Sequence, residues 1–177
     1  SERRFRKAVE EAPFPIMIHA DDGEVLTLSR TWTELSGYAH SDIPTTADWT
    51  KKAYGNKSEE AIAGIDALYG LHGRKSEGEH AVASRDGAHL VWDFSSISLG
   101  HLPDGRRIAM NIASDVTERK GSEDKIKCLL DEKSLILKEV HHRIRNNLNT
   151  INSFLFLQAE ATEEDSAKNA LIDAGSR

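Results

Sequence analysis

Phe5, Ala8, Val9 and Ala12 are spaced as one face of a helix over residues 1–12, and Pro13 ends it. The period then changes from helical to short. Residues 16–19 and 25–28 are apolar runs on either side of Asp21-Asp22-Gly23, which predicts a hairpin turning at the glycine. Trp32 and Leu35 lie three apart in a short helix stopped by Gly37, and residues 41–73 read as short helices and loops, with Ile62, Ile65, Leu68 and Tyr69 suggesting one longer helix. Strands return at residues 79–84 and 89–99, joined by a turn at Arg85-Asp86-Gly87. Leu90, Trp92 and Phe94 alternate on one face of the second of these. A last strand over 107–114, after Pro103-Asp104-Gly105, places Ile108, Met110 and Ile112 on one side. This order predicts an α+β domain over residues 1–115, with a five-stranded antiparallel sheet and flanking helices.

From residue 116 the strand signal and the prolines stop. Residues 116–160 read as one long helix, a break falls near residues 162–165, and a second helix runs from about 166 to 177. Residues 116–177 are therefore an all-α hairpin. At about 100° per residue, Ile126, Leu130, Leu137, Val140, Ile144, Leu148, Ile151 and Leu155 fall in a stripe roughly 80° wide. Such a seam needs other helices to bury it, and a hairpin this short points to a bundle formed with a second copy. His142 points about 155° from the middle of that stripe, and His141 about 55° from it. The two neighbouring histidines therefore differ: His141 flanks the seam, while His142, with Glu139, Asn146 and Asn149, faces water.

Composition narrows the function classes. The net charge is −6, nearly all of it on residues 1–115, which gives no reason to expect a nucleic-acid partner. Cys128 is the only cysteine, which rules out an internal disulfide and a multi-thiolate metal site. Adjacent histidines diverge by about 100° on a helix, so they make a poor metal pair and no metal site is expected. No apolar run reaches the ~18–20 residues of a membrane span, and no secretory leader opens the chain, so no membrane contact and a cytoplasmic setting are expected of this segment. It reads as an excised piece of a longer protein.

Three stretches resemble the PAS family. Ser29-Arg30-Thr31-Trp32-Thr33-Glu34-Leu35-Ser36-Gly37-Tyr38 is similar to the family's helix ending in Gly-Tyr, with Ser29 where Asn is usual. Ser84-Arg85-Asp86-Gly87 is similar to its late hairpin turn, and Asp115-Val116-Thr117-Glu118-Arg119-Lys120 to its exit motif. The resemblance covers roughly residues 1–120 and implies a sensor domain. It gives Asp115, Thr117 and Arg119 the work of setting the angle at which strand becomes helix, so that sheet distortion moves the helix. Spacing alone allows an ordinary N-cap there just as well. The sensed ligand is unknown. A flavin photosensor needs a cysteine within the domain and Cys128 lies outside it. Haem needs an axial histidine, for which His72 is the best-placed candidate, although a lone histidine is more often structural. Trp32, Trp49, Trp92, Tyr54 and Tyr69 are cavity candidates but suit a core equally. A small organic ligand, or none, is expected ahead of any cofactor.

Glu139-Val140-His141-His142-Arg143-Ile144-Arg145-Asn146-Asn147-Leu148 resembles the phosphoacceptor motif of the HWE-related, second-type histidine kinase dimerisation domains, with Arg145 where Lys is usual. The resemblance implies a sensor histidine kinase of a two-component system, acting as a homodimer. His142 would be phosphorylated from ATP and Mg2+ and would pass the phosphoryl group to an aspartate on a response-regulator receiver domain. Glu139 would orient the imidazole or take its proton, Arg143 and Arg145 would steady phosphate charge, and Asn146 would hold a water for dephosphorylation. On spacing alone, an exposed histidine is more often plain surface. The ATP-binding lobe would follow the second helix, and no glycine-rich phosphate loop occurs within the chain, so the segment is expected to accept phosphate without binding ATP. Two other classes fit less of the motif: a non-enzymatic PAS dimerisation module with a coiled-coil tail, and a phosphotransfer scaffold served by a kinase in trans.

Overall fold

The computed structural model describes residues 2–70, 72–162 and 165–175. It divides into two compact units that meet between Gly121 and Ser122.

The first unit is built on one antiparallel sheet of β1 (Ile16–Ala20), β2 (Val25–Leu28), β3 (Arg74–Ala83), β4 (His89–His101) and β5 (Arg107–Asp115), in the order β2-β1-β5-β4-β3. The last strand in sequence therefore lies at the centre, between the first and the fourth. Both faces are covered, which explains why every residue of β1 is buried. Ile16 and Ile18 on one face pack with Val9 near the end of α1 (Glu2–Glu10), alongside Leu26, Met110 and Ile112. The opposite face carries the main core. There Met17, Trp92, Phe94 and Ala113 of the sheet meet Trp32 of α2 (Arg30–Ser36) and Trp49 of α3 (Thr46–Tyr54). The tryptophan rings are in edge or stacked contact, with centroids 4.8 Å apart for Trp32–Trp49, 5.1 Å for Trp32–Trp92 and 6.0 Å for Trp49–Trp92. Of the proposed cavity aromatics, Trp32 and Trp92 are thus core filling. α4 (Ser58–Asp66) follows, and a 3₁₀ turn, Ala67–Gly70, delivers Leu68 and Tyr69 to the interior instead of extending the helix.

Ser29 fixes where α2 starts. Its Oγ accepts the N–H of Ile16 at 2.8 Å and of Trp32 at 3.2 Å and donates to the Phe14 carbonyl at 2.9 Å, tying β1 to the helix cap. Gly37 ends α2 at φ +75°, and a Cβ there would come within 3.0 Å of the Arg85 Cβ, so the position excludes a side chain twice over.

One expectation needs correction. β3 begins at Arg74, not at residue 79, because Gly78 at φ +81° forms a bulge through which a polar edge strand continues. On β5 the deeply buried face is Ala109, Asn111 and Ala113, while Ile108, Met110 and Ile112 are only half-buried. The second helix starts at Asp165. Glu163 and Glu164 of the expected break, and the stretch of that helix at 176–177, lie outside the described residues.

α5 (Thr117–Ala161) starts in the first unit and continues into the second, where α6 (Asp165–Gly175) completes a hairpin. A Cβ added at Gly175 would meet the Leu155 side chain at 3.8 Å, so the two helices approach there, and Ala159 is buried. Among the described residues no helix is long and apolar enough to cross a membrane.

Candidate functional site

α5 holds the proposed chemistry on a helix whose apolar stripe has little cover within one chain. Ile126, Leu130, Leu137, Val140, Ile144, Leu148 and Ile151 remain between 43% and 58% exposed, and only Leu155 is partly covered, near Gly175 of α6. An apolar seam this long on a charged helix marks an interface. His141 and His142 are both exposed in the single chain, so the distinction between them rests on where each points around the helix. Glu139 is paired with Arg143, one turn on, at 2.8 Å. Arg145 and Asn146 are exposed, and the Asn146 carbonyl accepts the Thr150 hydroxyl at 2.9 Å. A shallow groove beside His142 is lined by Leu135, Ile136, Lys138 and Glu139. Leu135, 69% exposed, was missed in the sequence because it lies off the stripe. Its signal is its position two turns before His142 on the same face.

At the exit from the sheet, Asp115 Oδ1 accepts the Thr117 N–H at 2.9 Å and the Thr117 hydroxyl at 2.5 Å. Thr117 Oγ1 in turn accepts the Val91 N–H at 2.9 Å, and the Val116 N–H reaches the Val91 carbonyl at 2.8 Å. The first turn of α5 is thereby stitched to β4. The carboxylate that holds the basic residues of that turn is Glu79 of β3, 2.8 Å from Arg119 and 2.6 Å from Lys120. These hydrogen bonds hold its carboxyl below the usual glutamate range, Lys120 contributing most. Glu79 gave no signal in the sequence, because its partners lie some forty residues away in an otherwise polar run.

Between α3, α4 and strands β3 to β5 lies a cleft of about 470 Å3. Trp49, Tyr54 and Phe94 form apolar walls, and Asn111, Glu77 and Lys75 are polar groups along it. Behind Asn111 sits His19, fully buried. Its Nε2 is 2.9 Å from Asn111 Oδ1, and its Nδ1 is 2.5 Å from the Tyr69 hydroxyl, which also lies 2.6 Å from the Ala20 carbonyl. Burial pushes the His19 pKa below its ordinary 6.5, outweighing the Asn111 hydrogen bond and the charge of Asp66, which act the other way. The native ring is therefore neutral where an unfolded histidine takes a proton, so stability falls as pH drops below about 6.5. Thermal midpoints measured from about pH 7.5 to pH 5 should decline, and His19→Gln should flatten that decline; an unchanged slope in the variant would assign it elsewhere.

Known proteins bear on these features directly. Residues 139–177 match the family model described as histidine kinase, and residues 3–68 match the PAS domain model. A PAS domain match and a histidine kinase match thus fall on one chain, in that order. Over 60 residues it is 42% identical to the sensor histidine kinase PdtaS of Mycolicibacterium smegmatis, a match covering 34% of this chain and 11% of that protein. Over 71 residues it is 37% identical to the PdtaS of Mycobacterium tuberculosis, covering 40% of this chain and 13% of that one. The chain thus spans a small part of these relatives' length. Among solved structures, the PAS domain of Bordetella pertussis BvgS superposes with a TM-score of 0.56 at 15% identity, covering 74% of this chain and 97% of that one. The PAS domain of an HTR-like protein from Haloarcula marismortui gives 0.51 at 17%, over 64% and 90%. At these identities the likeness is one of fold.

Glu139, His142, Arg143, Arg145 and Asn146 all fall inside the histidine kinase match. The PAS cleft does not suit haem through His72, which is exposed to solvent and absent from the lining. Cys128, also exposed, belongs to the other compact unit, and residues 1–121 contain no thiol for a flavin adduct.

Proposed function

We propose that the chain is the sensing and phosphoacceptor portion of a cytoplasmic sensor histidine kinase, with His142 as the residue that becomes phosphorylated. The observation that carries this is the placement of His142 across the helix from a long uncovered apolar stripe. A second copy that covers the stripe leaves His142 in water, where a nucleotide-binding lobe and later a receiver domain can reach it. The whole protein then acts as a homodimer.

The chemistry asks little of the helix beyond position. A neutral imidazole nitrogen attacks the γ-phosphorus of ATP in line. An N–P bond forms, the bond to the β-phosphate oxygen breaks, ADP leaves, and the ring proton passes to a base. Mg2+ offsets charge on the phosphates. Glu139 lies one turn away and can take or steer that proton once it releases Arg143, which is then free to meet phosphate with its forked donors. Arg145 adds a second cation, and Asn146 positions water for the reverse, hydrolytic reaction. Transfer to a receiver aspartate exchanges the N–P bond for an acyl phosphate and returns the imidazole.

The PAS domain biases this chemistry through the exit. Asp115 and Thr117 fix the helix start against β4, and Glu79 holds Arg119 and Lys120 to β3, so a change in either strand is delivered to α5 as a change of direction. The test is to supply an ATP-binding lobe of a relative in trans with Mg-ATP and radiolabel. Acid-labile label on the chain is expected, and a chain that takes none would remove the proposal.

A further inference from the structure

The PAS cleft carries chemistry specific to this chain. Its floor runs across three neighbouring strands. Asn111 of β5 lies opposite Ser96 of β4 in the sheet register, and the Ser96 hydroxyl donates to Glu77 Oε1 of β3. Asn111 is only 7% exposed, and its Oδ1 is engaged by His19 Nε2. With Oδ1 turned to His19, the amide N–H donors of Asn111 are left for the cleft that the residue lines. Glu77 is an acceptor fixed in place by Ser96, with its second oxygen uncommitted. A fixed donor and a fixed anion thus sit on one floor, about two strand spacings apart in the backbone. The charged lining as a whole is balanced, Lys57 and Lys75 against Glu60 and Glu77. A simple anion meets Glu77, and a simple cation gains nothing from Asn111 or the lysines. A molecule bearing both charges satisfies every group.

We propose that this cleft binds a small zwitterion of the amino-acid type with an apolar side chain. Its carboxylate accepts from the Asn111 amide and Lys75, its ammonium donates to Glu77, and its side chain lies against Trp49 and Phe94. The volume, about 470 Å3, is in the range of small-molecule sites. The inference rests on the sensor reading and gives it a consequence. Glu77 stands beside the Gly78 bulge and two residues before Glu79, the residue that grips Arg119 and Lys120, so an ammonium drawn to Glu77 loads the strand that holds α5.

Titration calorimetry and thermal shift on the whole chain with L-leucine and L-phenylalanine test it, beside 4-methylpentanoate and isoamylamine, which keep the leucine side chain and lose one charge each. At least one amino acid should bind and raise the thermal midpoint, with each single-charge analogue weaker than leucine by roughly tenfold or more, the cost of an unpaired charged hydrogen bond. Glu77→Gln, a partly exposed position, should keep the unliganded midpoint and weaken binding by a similar factor. Analogues binding as well as the amino acid, unchanged affinity in Glu77→Gln, or no binding by either amino acid would each overturn the proposal. Labelling of His142 is scored separately: a chain that takes phosphate but binds no amino acid loses only the cleft assignment, and one that binds but never takes label loses only the phosphoacceptor.

Discussion

Trp32→Ala should lower the stability of the PAS domain by about 3–5 kcal/mol, a large fraction of the roughly 5–15 kcal/mol that holds an ordinary domain together. Trp32 is fully buried, and its ring meets Trp49, Trp92 and Phe94 at 4.8, 5.1 and 6.2 Å between centroids. These neighbours come from α3 and β4, two elements far apart in sequence, so no single segment can move in to fill the hole. Trp32→Phe should cost much less. The indole N–H of Trp32 has no hydrogen-bond partner, so phenylalanine deletes an unsatisfied donor while keeping most of the aromatic area. Urea denaturation followed by circular dichroism, with the slope checked for two-state behaviour, distinguishes the two variants. Equal losses for alanine and phenylalanine would mean that the N–H is satisfied, for example by a buried water.

The largest functional effect is expected at His142. His142→Gln should reduce phosphoryl label to about 1% of the parent chain or less, since no other group at that place on the helix can form the N–P bond. His141→Gln should keep label within about a factor of a few, because His141 points toward the flank of the stripe and its loss alters packing rather than the nucleophile. The contrast between adjacent residues guards against a folding artefact, as both lie on one exposed turn of α5. Label retained in the His142 variant and lost in the His141 variant would reverse the assignment.

The readable parts of this protein were those whose information is local. The stripe from Ile126 to Leu155 repeats every three or four residues, so both the helix and the direction of His142 follow from period alone. The turns at Gly23, Gly87 and Gly105 announce themselves because only glycine sits easily at their positive φ. What escaped depends on partners distant in the chain. β3 opens with Arg74-Lys75-Ser76-Glu77, which looks like a loop until β4 pairs with it. Asn111 sits between apolar neighbours on a strand covered on both sides, so alternation singled out Ile108, Met110 and Ile112 and passed over the more deeply buried face. His19 gains its meaning only from Tyr69 and Asn111, and Glu79 only from Arg119 and Lys120. The fold and the direction of His142 on its helix were therefore legible, and the long-range contacts of His19, Asn111 and Glu79 were not.

The central claim is that α5 buries its stripe against a second copy and leaves the His142 face in water. Single cysteines placed at Leu148 and at Asn146, each in a Cys128→Ser background, measure this through the rate of thiol alkylation in the native chain. The account predicts that the thiol at 148 reacts at least about tenfold more slowly than the thiol at 146, and that mild denaturant removes the difference. Equal rates in the native chain, or protection at 146 with exposure at 148, would contradict it.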